Sequence, residues 1–213
     1  MDKKYELTDK TITLDNRKIL YRIKALKDFG DVKAGELGGY IESEKNLSQE
    51  DNCWVYDNAK VYDNAVVYNN ARIYVKACIF DNAQVQGNAI IRGNAQIGGD
   101  AWIFDKPVIS KNAYIFGNAT IYGNAQISGN AWIYGNAKVC DNAWVYGDAK
   151  VCDLARIFNS AQISDNALIC DNAYVYGKAE ICGDARVGDI LKFVKIQKSL
   201  VIQKYMENLK KIP

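Results

Sequence analysis

From Val55 to Val187 the chain repeats one six-residue phrase of apolar and polar positions without losing register. Every sixth residue over that span is Val or Ile, and the fourth residue after each but the last is Ala, with Pro107 the one exception. Examples are Val55-Tyr56-Asp57-Asn58-Ala59-Lys60 and Ile121-Tyr122-Gly123-Asn124-Ala125-Gln126. Within Ala-x-Val/Ile-x the two-residue alternation predicts a short strand with Ala and Val or Ile inward and both x residues outward. The remaining pair, usually Gly-Asn or Asp-Asn, predicts a corner, because Gly and Asn tolerate the positive φ of tight turns. A period this regular marks a repeat architecture.

Three strands and three corners close a triangular coil, and stacked coils form parallel sheets at ~4.8 Å spacing, for a rod of roughly 35 Å. Each inward Val or Ile stabilises the stack by ~1.5–3 kcal/mol. Inward Ala acts as a size limit, since larger side chains would overpack the narrow interior.

Outside the repeat the texture changes. Residues 1–54 read as an N-terminal cap. Thr11 to Ile23 forms two strands around an Asp15-Asn16 turn, and a glycine-punctuated entry loop follows. Leu47 and Val55 lie eight residues apart, which implies a two-residue insertion in the first coil. Residues 188–213 form a basic C-terminal cap, with six basic and two acidic side chains. There Ile202, Tyr205, Met206 and Leu209 recur at helical spacing after Ser199, a candidate N-cap. At Lys106-Pro107 the phrase departs from Asn-Ala, and loss of a ladder donor predicts a bulge beside Trp102 and Phe104.

The phrase resembles the hexapeptide repeat of left-handed β-helix proteins, in which an aliphatic residue is followed four positions later by a small one. The resemblance implies an all-β, left-handed parallel β-helix with three strands per 18-residue coil. The entry segment, from Ala25-Leu26-Lys27-Asp28-Phe29 through Gly38-Gly39-Tyr40-Ile41-Glu42-Ser43 to Asn52-Cys53-Trp54, is similar to that of a group of bacterial and phage hexapeptide-repeat proteins often labelled transferases. Together the two likenesses span roughly residues 20–187. Members of the superfamily include acyltransferases and zinc carbonic anhydrases, and they commonly assemble as trimers.

The chain has no histidine. The acyltransferases use a histidine to deprotonate the acceptor and the carbonic anhydrases hold zinc with histidines, so neither constellation carries over to any position here. The rod's carboxylates mostly replace Gly at corners, where they read as turn formers with a solvated side chain. Asp153, Asp171 and Asp189 share one corner column and would attract a cation such as Ca²⁺, but the simpler reading is again turn chemistry, and no metal or cofactor is expected. Cys152 and Cys170 share a column one coil apart, a separation compatible with a disulfide, and are read as reduced surface thiols in a cytoplasmic protein. No phosphate loop or nucleophile elbow is present. Thr120 is the sole outward Thr of the rod, against the flat Thr array that ice binding needs.

The net charge of +2 divides into −1 for residues 1–54, −1 for 55–187 and +4 for the tail. A near-neutral rod is a poor nucleic-acid ligand. No apolar run approaches membrane-span length and no secretory leader opens the chain, so a cytoplasmic location is expected.

Candidate recognition residues are outward aromatics. All four tryptophans, Trp54, Trp102, Trp132 and Trp144, stand just before an inward Val or Ile. Grouping by 18 places Tyr114, Phe116, Trp132 and Tyr134 in a square on one face, and Trp102, Phe104 and Tyr122 on another. Such a patch is of the size that soluble monomers usually cover. The expected function is a non-catalytic scaffold or binding module that recognises a partner through these aromatics, as a homo-oligomer (trimer or dimer) or with another protein. Two alternatives stay open: a transferase working without histidine, and a phage-type protein that sequesters a host protein or small metabolite.

Overall fold

The structure, a computed structural model, describes residues 3–188 and the backbone of Phe193–Ile196. The predicted terminal helix and Asp189 lie outside the described residues.

The repeat folds as a three-sided parallel β-solenoid. Two-residue strands pair with the strands 18 residues before and after, as Ile97 does with Ile79 and Ile115. The pairs accumulate into three sheets of eleven, eight and eight strands, which step three strands at a time through the repeat; the eleven-stranded sheet also takes in the three N-terminal strands. Every Val and Ile of the six-residue register is buried, as are its Ala partners and Pro107. The interior is thus one continuous column of branched aliphatics and small residues, as the alternation predicts.

The corners differ in detail from the sequence reading. Positive φ falls on the first corner residue, such as Asp57, Asp81 or Gly87 at 53°, 54° and 69°, and not on the Asn that follows. An Asp at this place is no merely solvated turn former. Its carboxylate accepts the amide of the corner residue one coil on: Asp81 Oδ2 takes Gly99 N–H at 2.8 Å, and Asp165 Oδ2 takes Gly183 N–H at 2.9 Å. The Asn side chains form ladders of their own, with Asn94 donating to Asn112, Asn112 to Asn130, and Asn130 to Asp148, at 3.0, 3.0 and 2.8 Å. Both side chains of the corner pair therefore link coils. Two corners carry less apt residues, Val75 at φ 65° and Lys111 at φ 59°.

No bulge forms at Pro107. Val108 and Ile109 keep register with Ile90 and Ile91 below and with Gln126 and Ile127 above. The reason lies in the hydrogen-bond pattern. Outward residues and second corner residues donate to the next coil, as Lys60 does to Ala77 at 2.9 Å. The inward Ala amide, where it bonds at all, reaches only its own corner, as Ala83 does to Phe80 at 3.3 Å. Proline at the Ala position therefore removes nothing from the ladder.

The N-terminal end is closed by a hairpin, β1 (Tyr5–Thr13) against β2 (Ile19–Ala25), followed by β3 (Leu37–Ile41). β3 runs antiparallel to β2 and parallel to the strand Lys60–Val61. It thereby converts the open parallel edge into antiparallel pairing, which protects it from runaway strand addition. Ile41 pairs with Val61 and Leu47 with Val67, each 20 residues on, which is one coil plus the two inserted residues. Gly38 and Gly39 make this approach possible: a Cβ would stand 2.6 Å from Val55 O at one and 2.5 Å from Ala59 O at the other. Beneath the hairpin Lys4 is buried, donating to the carbonyls of Glu50 and Cys53 at 2.9 and 3.1 Å. Burial lowers its pKa.

Trp54 corrects the sequence reading. It points out of its coil but is fully buried, because the cap covers it with Tyr5 and Phe29 in edge-on contact, ring centres 6.0 and 5.3 Å away. At the other end of the chain, Phe193–Ile196 adds a parallel strand beside Tyr174–Gly177.

Candidate functional site

On one sheet the outward Tyr114, Phe116, Trp132, Tyr134 and Lys150, together with the inward Ile133, line a shallow hollow of about 430 Å³. Strand register dictates it. Tyr114 and Trp132 are direct partners on adjacent coils and stack at 5.1 Å with planes 28° apart. Phe116 stands two residues beyond Tyr114, on the same side of the sheet, with its ring centre 6.2 Å away. Lys150 Nζ, one coil above, lies 5.8 Å from the Trp132 ring centre, within cation–π reach. Trp132 and Tyr134 are 46% and 36% exposed, a high value for side chains this large. Gln96 Nε2 donates to the Tyr114 hydroxyl at 3.1 Å and holds that ring in place.

The aromatic surface extends further than residue spacing suggested. Tyr62 stacks on Phe80 at 5.4 Å, and Phe80 meets Phe116, two coils away, edge-on at 5.6 Å. They meet across Gly98, where a Cβ would lie 2.8 Å from Phe80 and 2.9 Å from Phe116. A side chain at Gly98 would part the two rings. Reading residues 62, 80, 98 and 116 as one column would have found this ridge; looking only at adjacent coils missed it.

The other predicted aromatics gather on a second sheet. Trp102 lies against Phe104 at 4.8 Å, and Phe104 stacks on Tyr122 at 5.0 Å. The seven candidates thus form two clusters on two faces, and the solenoid does not bring the clusters together. On the third face Trp144 and Tyr146, with Lys111, Gln126, Ser128 and two glycines, line another shallow hollow of about 410 Å³.

The chemistry available in the main hollow is limited. Its lining holds no carboxylate and no thiol. The Tyr134 hydroxyl, hydrogen-bonded to Cys152 and partly buried, has its pKa pushed up to about 12 and stays protonated at neutral pH. The surface can stack, cover and hold a negative edge through Lys150. Next to it, Cys152 proves to be buried, where the sequence suggested a surface thiol; it and Cys170 are free thiols. Among the described residues no helix is long and apolar enough to cross a membrane.

Comparison with known proteins meets the chain at this hollow. A repeat family described as the YdcK β-solenoid repeat matches residues 113–128 and 125–139, a stretch that includes Tyr114, Phe116, Trp132 and Tyr134. The chain is a β-solenoid of the hexapeptide-repeat kind. An uncharacterised acetyltransferase, YdcK of Escherichia coli (strain K12), is 54% identical over 39 residues, 18% of this chain. That segment spans 12% of the relative's length. The likeness therefore concerns the repeat and the fold.

Proposed function

We propose that the protein is a non-catalytic β-solenoid scaffold that recognises its partner through the aromatic hollow, and that the first such partner is a second copy of the same chain. One observation carries this reading. Tyr114, Phe116, Trp132 and Tyr134 make a continuous apolar surface on a flat face, with the two residues of the outer coil exposed to a degree that solvent disfavours. The face is regular because the strands beneath it are in exact 18-residue register, so two copies can meet along several coils. Such contact along the rod would reach the ~800 Å² per partner of a stable interface. Aromatic residues are the side chains most enriched at the centres of such interfaces.

The test is solution mass by analytical ultracentrifugation. The native chain is expected to sediment as a dimer or trimer, and Trp132→Lys with Tyr134→Lys as a monomer. A native monomer, or an oligomer untouched by the double substitution, removes the self-association reading.

The name of the Escherichia coli relative favours a second reading, an acyl transferase that would have to work through Asp, Glu, Tyr or Cys. Acetyl-coenzyme A raising the melting temperature of the native chain, but not of the Trp132→Lys chain, would support it.

A further inference from the structure

On the face that carries the aromatic hollow, one coil further on, the rings give way to sulfur. The outward column runs Phe116, Tyr134, Cys152, Cys170, Gly188 at intervals of 18, and an Asp follows each cysteine. Cys152 and Cys170 directly follow the register-paired strands Lys150–Val151 and Leu168–Ile169. Two Cys-Asp pairs are therefore stacked one above the other by a rigid interior that neither pair helps to build.

Their polar atoms converge. Cys152 Sγ lies 3.2 Å from Asp153 Oδ2, and Cys170 Sγ lies 3.4 Å from Asp171 Oδ2. The ligand atoms of Asp153, Cys170 and Asp171 all fall within 4.8 Å of one another. Around a tetrahedral zinc-sized ion, sulfur and oxygen ligands stand roughly 3.5 Å apart, given metal distances of about 2.3 and 2.1 Å. The surroundings also fit. Cys152 is 4% exposed and accepts a lid on one side from Tyr134, whose hydroxyl bonds to it. On the other side the last described residue of the column is Gly188, where a Cβ would collide with the Asp171 carboxylate and stand 3.2 Å from Cys170 Sγ. Glycine there leaves room beside the half-buried Cys170 thiol and the Asp171 carboxylate.

We propose that Asp153, Cys170 and Asp171, with Cys152 as a fourth donor, bind a thiophilic divalent cation of the zinc class. Two carboxylates stacked one coil apart repel one another; Asp153 Oδ2 accepts the Asp171 amide at 3.2 Å as well as facing the Cys152 thiol, and a cation would offset the charge that remains. A divalent ion replaces the thiol protons: each thiol yields its S–H proton to solvent, and its sulfur forms a bond to the metal. The donor set selects the ion. Ca²⁺ prefers six to eight oxygens, whereas thiolate with carboxylate suits Zn²⁺ or its spectroscopic substitute Co²⁺. This reading rests on the cysteines and is independent of what occupies the aromatic hollow.

The test is titration of the reduced full-length chain with Co²⁺, followed by Zn²⁺. Expected are one Co²⁺ per chain, a sulfur-to-cobalt charge-transfer band in the near ultraviolet, loss of that band on adding Zn²⁺ but not Ca²⁺, and release of about two protons per ion. Cys170→Ser and Asp171→Asn should each abolish the band. Ser is a safe replacement at this outward position, which Ser110 and Ser128 occupy in other coils, and an unchanged melting curve without metal confirms folding. Cys78→Ser should leave the band intact. No charge-transfer band, a band that survives Cys170→Ser, or a Cys152–Cys170 disulfide that forms in preference to metal loading would each overturn the proposal.

Discussion

The ring of Phe29 meets the indole of Trp54 edge-on, 5.3 Å between centres, and in doing so takes a nominally outward tryptophan out of solvent. Trp144 holds the same place in the repeat and on the same sheet, yet is 45% exposed. Trp54→Ala should therefore cost about 3–5 kcal/mol, and Trp144→Ala under about 1 kcal/mol. Urea denaturation of the two variants checks the contrast, and equal losses would mean that the cap does not seal the first coil.

Proline is tolerated at position 107 because the Ala position lies outside the coil-to-coil ladder. Pro107→Ala should change stability by less than about 1 kcal/mol. Shifting the ring by one residue, as Pro107→Ala with Val108→Pro, removes the 2.9 Å bond from Val108 N–H to Ala125 O and should cost about 3 kcal/mol or more. Thermal melts of the two chains separate the cases.

Corner residues make a paired prediction. Val75 is a β-branched residue held at φ 65°, where such side chains are outliers. Val75→Asn relieves that strain and leaves the amide bond to Asp57 Oδ2 untouched, so a gain of about 1 kcal/mol is expected. Asp81→Ala does the reverse. It loses the acceptor for Gly99 N–H and puts Ala at positive φ, for a loss of about 1–2 kcal/mol. Chemical denaturation should show opposite signs at the two corners.

Alkaline pH should weaken the metal-free fold through its thiols. Burial, reinforced by the neighbouring carboxylates, raises the pKa of both Cys152 and Cys170 from the ordinary 9.0 to about 11. Folded-state values above unfolded ones favour the protonated form in the native chain. The contribution is then complete below pH 9.0 and is lost as pH rises toward about 11. Melting temperature measured across that interval should fall less steeply after Cys152→Ser with Cys170→Ser than in the native chain.

These cases show what residue order reveals and what it conceals. The interior was legible because it is one-dimensional: an inward Val at every sixth place needs only its own spacing to be recognised. The exterior depends on what lies across a coil or over a face. Trp54 and Trp144 are indistinguishable within the phrase and differ only in what covers them. Gly98 looks like an ordinary small residue until the columns are aligned, when it becomes the gap through which Phe80 and Phe116 touch. The corner aspartates disclosed a turn, but their bond to the next coil follows from coil stacking and is invisible along a single coil. Pro107 misled for a related reason, since a missing donor matters only where the donor had been in use.

The 18-residue stacking also constrains how such a chain can change in length. Excising one full turn, for instance residues 119–136, would return every later side chain to its own face and set Cys152 directly above Phe116. Excising a single phrase of six would keep the lining of the tube intact while rotating everything downstream by one side of the triangle. The first kind of deletion shortens the rod; the second scrambles its exterior without touching its core, so whole-turn changes are the ones that preserve a surface.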